Sequence, residues 1–129
     1  MITRHAILHH LQVSDGGFER EIHRRLADAR NMGLHILSDL RDVAPPRADG
    51  SFFFYLDPSR ILSTLPAESV IRSGDDVARL LLDETNVGCA ACGSFGDVNG
   101  PRLSFGVPSD LLEAGLKRIV ERLNNLRTR

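Results

Sequence analysis

The stretch Val87-Gly88-Cys89-Ala90-Ala91-Cys92-Gly93-Ser94-Phe95-Gly96-Asp97-Val98-Asn99-Gly100-Pro101-Arg102-Leu103-Ser104-Phe105 decides the fold. Residues 87–91 and 101–107 each read as a short strand, and the connection between them is rich in glycine. Two adjacent strands joined by a short connection pair antiparallel. The segments around them carry helical periodicity. The fold class is therefore α+β, with a small mixed or antiparallel sheet and helices packed on it.

Downstream, Pro108-Ser109-Asp110 opens a final helix with the apolar stripe Leu112, Leu116, Ile119, Leu123 and Leu126. Upstream, Ser73-Gly74-Asp75-Asp76 has the form of a capping box with Asp in place of Glu. Val77, Leu80 and Leu81 are the apolar face of the helix it starts. Residues 57–72 are polar, contain Pro58 and Pro66, and read as a long loop with a helical turn. The run Ser51-Phe52-Phe53-Phe54-Tyr55-Leu56 is bulky and aromatic, which favours a strand with both faces covered.

Before that strand, Ala44 to Gly50 turns the chain through two prolines. The longest periodic segment precedes the turn. Phe18, Ile22, Leu26, Ala29, Gly33, Leu37 and Leu40 recur at steps of three and four. They predict one amphipathic helix over about 18–41, ~36 Å long, running along or beyond the edge of the domain. Ser14-Asp15-Gly16-Gly17 breaks the chain ahead of it, and residues 4–12 read as a short helix.

The 129 residues fit one domain. A formal net charge of −1 makes no electrostatic case for nucleic acid or an acidic membrane. No apolar run approaches the ~20 residues of a membrane span. The N-terminus lacks the pattern of a secretion signal. Two cysteines do not make a disulfide framework. These features together point to the cytoplasm.

The motifs, taken in order, resemble the C-terminal small domain of fold-type I pyridoxal-phosphate-dependent aminotransferases of the aspartate aminotransferase type. Gly17-Phe18-Glu19-Arg20 opening a long helix is similar to the interdomain helix of that family. The run from Pro46 through Gly50 to Tyr55 resembles its proline–glycine–aromatic strand entry. Leu80-Leu81-Leu82-Asp83-Glu84 and Val87 resemble the helix leading to an inner strand, and Gly93-x-Phe95-Gly96 then precedes Arg102-Leu103-Ser104-Phe105. The resemblance covers most of residues 1–129, with 1–16 as a linker or boundary segment. One departure is local: Cys92 stands where the family usually has proline.

The resemblance implies that Arg102 binds the α-carboxylate of an amino-acid substrate and that Phe95 walls the substrate pocket. Residue type suits the first role, because a planar guanidinium offers two parallel N–H donors to a carboxylate. Read without the resemblance, Arg102 is a surface arginine at a strand start and Phe95 plugs a tight turn. The implied cofactor is pyridoxal 5′-phosphate, and the implied setting is an oligomer. No cofactor or metal ligand is assigned to this chain. Lys117 is its only lysine, in the final helix one step from the apolar stripe, on the solvated face. The implied partner is therefore a complementary pyridoxal-phosphate-binding domain or chain, in a longer or split enzyme. The alternative is a non-catalytic binding or regulatory module of the same fold.

Other constellations compete. Cys89 and Cys92 form a C-x-x-C, read as a redox pair, as half of a zinc site with His5, His9 and His10, or as two small buried or half-buried thiols. His23, Arg20, Arg24 and Arg25 read as a solvated helix face or as a face for a partner domain. Asp57 and Asp75 read as turn and cap residues.

Overall fold

The computed structural model describes residues 2–93, 96 and 99–126. The elements follow in the order α1 (Ile2–Val13), α2 (Gly17–Leu37), β1 (Phe53–Tyr55), α3 (Ser59–Leu62), α4 (Gly74–Thr85), β2 (Ala90–Ala91), β3 (Pro101–Ser104) and α5 (Ser109–Asn124). The expected α+β class holds. The sheet is antiparallel throughout, with order β1-β3-β2. Phe53 faces Ser104, Phe54 faces Leu103 and Tyr55 faces Arg102. On the other side of β3, Ala90 faces Arg102 and Ala91 faces Pro101.

The strands are shorter than the sequence suggests. Backbone bonds nevertheless extend the β1–β3 pairing at both ends, from Leu56 N–H to Pro101 O (3.1 Å) and from Phe105 N–H to Phe52 O (2.9 Å). The expectation that residues 51–56 are covered on both faces is corrected. Phe54 is fully buried, while Phe53 and Tyr55 on the alternate face are half-buried. Helices α2, α4 and α5 all cover the Phe54–Leu103 face, in one core with Leu37, Leu81, Phe105, Leu116 and Ile119. On the opposite face Phe53, Tyr55 and Arg102 are half-buried. Within the core the Phe54 and Phe105 rings pack tilted, 4.6 Å between centroids.

Helix α2 ends at Leu37 rather than at about 41. The Ser38 N–H still bonds to Leu34 O (3.0 Å), but Asp39 and Leu40 bond three residues back, to Ile36 and Leu37. The side-chain amide of Asn124 then clamps the turn. Its Oδ1 accepts from Arg41 N–H and its Nδ2 donates to Asp39 O, both at 3.0 Å. The end of α5 thus holds the turn that follows the helix, and Leu40 and Val43 are buried in the core.

The box that starts α4 is as read. Ser73 Oγ accepts from Asp76 N–H (3.1 Å), and the Asp76 carboxylate accepts from Ser73 N–H (3.0 Å). Helix α3 supplies the helical turn expected within 57–72, and Asp57 Oδ1 accepts from Ser59 N–H at its start (2.9 Å).

The long helix was expected to run along or beyond the edge of the domain, and the N-terminal part of its stripe is uncovered. Ala29, Gly33 and Leu37 of its stripe are buried, yet Phe18 is 68 % exposed and Ile22 is exposed as well. Helix α1 occupies the segment read as a boundary, and its Ile7, Leu8 and Leu11 are all more than half exposed. No helix among the described residues is long and apolar enough to cross a membrane.

Candidate functional site

Arg102 lies in β3, the middle strand, and is half-buried. Leu103 next to it is buried, so the alternation of the strand places Arg102 on the face that also carries Phe53 and Tyr55. Its guanidinium carbon stands 4.2 Å from the centroid of the Phe53 ring. A cation that close to a ring face is attracted by the ring quadrupole. Phe53 in turn packs against Phe52, with centroids 4.3 Å apart and planes 36° apart. Antiparallel register brings this about: Tyr55 is directly opposite Arg102, and Phe53 is the diagonal neighbour on the same face.

The turn before β3 is anchored to α4. Asp75 Oδ1 accepts from Gly93 N–H at 3.1 Å. Asp75, read as a cap residue, thus ties the first turn of α4 to the segment that leads into Arg102. Gly96 closes the turn, with its N–H bonded to Gly93 O (3.1 Å) and φ of 86°. That left-handed conformation is open to glycine without steric cost. Phe95 lies outside the described residues.

The structure therefore brings together Arg102, Phe53 and Tyr55 on one sheet face, with Asp75 holding the approach. The sequence pointed to Arg102 and missed Phe53 and the Asp75–Gly93 bond. The parity of the aromatic run was visible in Phe53 and Tyr55, but the pairing register that sets them beside Arg102 was not.

Lys117 does not fit the role of a cofactor lysine. It sits on the exposed side of α5, paired through Nζ with Glu113 Oε1 one turn earlier (2.6 Å). The remaining constellations resolve separately. Cys89 Sγ is directed at Ala78 O of α4 (3.9 Å) and Cys92 Sγ at Ala90 O (3.8 Å). Strand β2 keeps the chain between them extended. Three extended steps span about 10 Å, beyond the ~7 Å between α-carbons that a disulfide tolerates. Burial, and then the neighbouring Cys92, pushes the Cys89 thiol up to about 11. That is the opposite of an activated redox thiol.

His5 and His9 are exposed on α1, and His10 meets Glu19 of α2. Among the described residues no group of three or more His, Cys, Asp or Glu side chains is placed to hold a metal. His23 is exposed. Arg24 and Arg25 bond to Glu21 (2.9 and 2.6 Å), and Arg24 also to Asp28 (3.2 Å). Hydrogen bonds from Arg24 and then Arg25 hold the Glu21 carboxyl down at about 2. These arginines form an exposed ladder along their own helix, where each pair contributes little to stability. Arg20 bonds to the Asp15 carbonyl (2.9 Å).

Compared with known proteins, the chain matches no protein-family model and no curated sequence.

Proposed function

We propose that this chain is the carboxylate-binding, small-domain part of a pyridoxal-phosphate-dependent aminotransferase-like enzyme, with Arg102 as the group that binds the α-carboxylate of an amino acid or 2-oxo acid. The observation that carries the reading is the seat of Arg102. It is half-buried on the middle strand of a sheet, with its guanidinium against the Phe53 ring. A side chain at such a place is anchored by a strand that pairs on both sides. Two parallel N–H donors of a guanidinium match a carboxylate in geometry as well as charge.

The residues present do not hold the cofactor. Lys117 is committed to Glu113 on a solvent-exposed helix face. Under this reading the cofactor and its lysine belong to a complementary domain or chain, and no chemical step is assigned to the residues described above. The apolar residues exposed on α1 and at the start of α2 are in keeping with such a partner. What this chain contributes is binding and orientation: Arg102 fixes the carboxylate end of the substrate.

The test is a titration of the chain with acetate and with 2-oxobutanoate, followed by NMR, on the wild type, Arg102→Ala and Arg102→Lys. Hydrogen bonds to a charged partner are worth ~1.5–3 kcal/mol each, so Arg102→Ala should weaken binding by at least tenfold. Arg102→Lys should restore only part of it, because lysine keeps the charge and loses the fork. Equal affinities for wild type and Arg102→Ala would overturn the assignment.

A further inference from the structure

We infer that this chain pairs with a second copy of itself, each copy laying the apolar stripe of α1 on the uncovered start of the other's α2. The inference is independent of the role given to Arg102.

Exposed area is the first observation. A compact monomer of this mass leaves about 6,800 Å² of surface to water. This chain leaves 8707 Å², an excess of about 1,900 Å² over that scaling. A stable pair covers about 800 Å² on each partner, so the excess is sufficient for one interface.

Apolar exposure is concentrated at one end of the molecule. Every residue from Thr3 to Val13 is exposed. Arg4, Ile7, Leu8 and Leu11 fall at helical spacing and line one apolar groove. Phe18 and Ile22 are exposed at the start of α2. His10 meets Glu19, which holds α1 beside that start. A helix of 12 residues is marginal in water when nothing packs against it. Covering its stripe stabilises both the helix and the apolar surface.

Charge selects the occupant. The formal net charge is −1, so two copies approach without strong repulsion. Residues 2–13 carry Arg4 and no acidic residue. Residues 17–22 carry Glu19 and Glu21 against a single arginine, Arg20. Docking α1 on the partner's α2 start therefore brings opposite signs together around two apolar stripes. A two-fold axis repeats the contact, so each copy covers the stripes of the other and the assembly closes.

The test is sedimentation equilibrium of the full chain from micromolar to submillimolar concentration. The wild type should reach twice the 14.2 kDa of the chain and stop there. Leu11→Glu and Phe18→Glu should each raise the dimer dissociation constant by at least about tenfold, because a charge would be buried in the interface. Both positions are exposed in the single chain, so the core is untouched. Leu111→Glu, at an equally exposed leucine of α5, should leave the dimer at wild-type strength. In a mixture of labelled and unlabelled chains, NMR should show contacts between Leu11 methyls of one copy and the Phe18 ring of the other. A wild type that stays monomeric at submillimolar concentration overturns the inference, and a complementary chain is then the occupant of this face. Dissociation by Leu111→Glu but not by Leu11→Glu, growth beyond the dimer, or absence of the Leu11–Phe18 contacts also overturns it.

Discussion

Gly33 of α2 lies directly against the ring of Phe54 in β1: a β-carbon at position 33 would stand 2.5 Å from Phe54 Cζ. This contact sets how closely the long helix approaches the sheet. It also lets Phe54 be fully buried between α2 and Phe105. The glycine is in mid-helix, where it is locally unfavourable by ~1 kcal/mol relative to alanine. Packing outweighs propensity at this position.

Gly33→Ala should therefore destabilise the fold, against the usual sign for that substitution in a helix. Overpacking a filled core costs ~1–3 kcal/mol, and the better helix propensity returns part of it. The expected net loss is up to about 2 kcal/mol, read from the urea midpoint. A midpoint equal to or above the wild type would show that the Phe54 ring moves aside freely.

The capping box of α4 gives stability an acid-sensitive part. The Asp76 carboxyl is held below its ordinary range, first by the backbone N–H of Arg72, then by the Ser73 hydroxyl. For a carboxyl depressed in the folded state, the added stability is fully present above the unfolded-state value. It is lost as pH falls through the lowered folded value. Asp76→Asn should cost roughly 0.5–2 kcal/mol near neutral pH, the range for loss of a cap. The gap between variant and wild type should narrow below about pH 4. Thermal midpoints across pH 2–8 measure this directly, and a gap that does not change with pH would exclude a role for the Asp76 charge.

Cys89 should react slowly with alkylating reagents at pH 8 in the folded state, because burial pushes its thiol up to about 11. Its rate should rise toward that of an ordinary thiol in denaturant. Mild oxidation of the folded chain should leave the mass unchanged, since β2 holds Cys89 and Cys92 apart. A loss of two mass units under those conditions would mean that β2 opens readily.

Much of the fold was legible in the sequence because it is written in local chemistry. The periodic stripes of α2 and α5 follow from burial of one helical face. The Ser73–Asp76 box follows from four orphan N–H groups that need acceptors. Lys117 was legible as a solvated residue from its place one step off the stripe, and its pair with Glu113 agrees.

The sequence by itself determined the α+β class, the helical stripe of α5 and the box that starts α4. Each depends on residues close together in the chain. Only the tertiary structure decided the path of the chain after α2, because the side-chain bonds that hold the turn at Asp39 and Arg41 come from Asn124, more than eighty residues away. It alone decided that the aromatic strand shows one face to the core and the other to Arg102. That outcome depends on strand register, and a shift of one residue would have exchanged Phe53 for Phe54. Long-range pairing is fixed by the sum of many contacts across the core, and no single stretch of the chain encodes it.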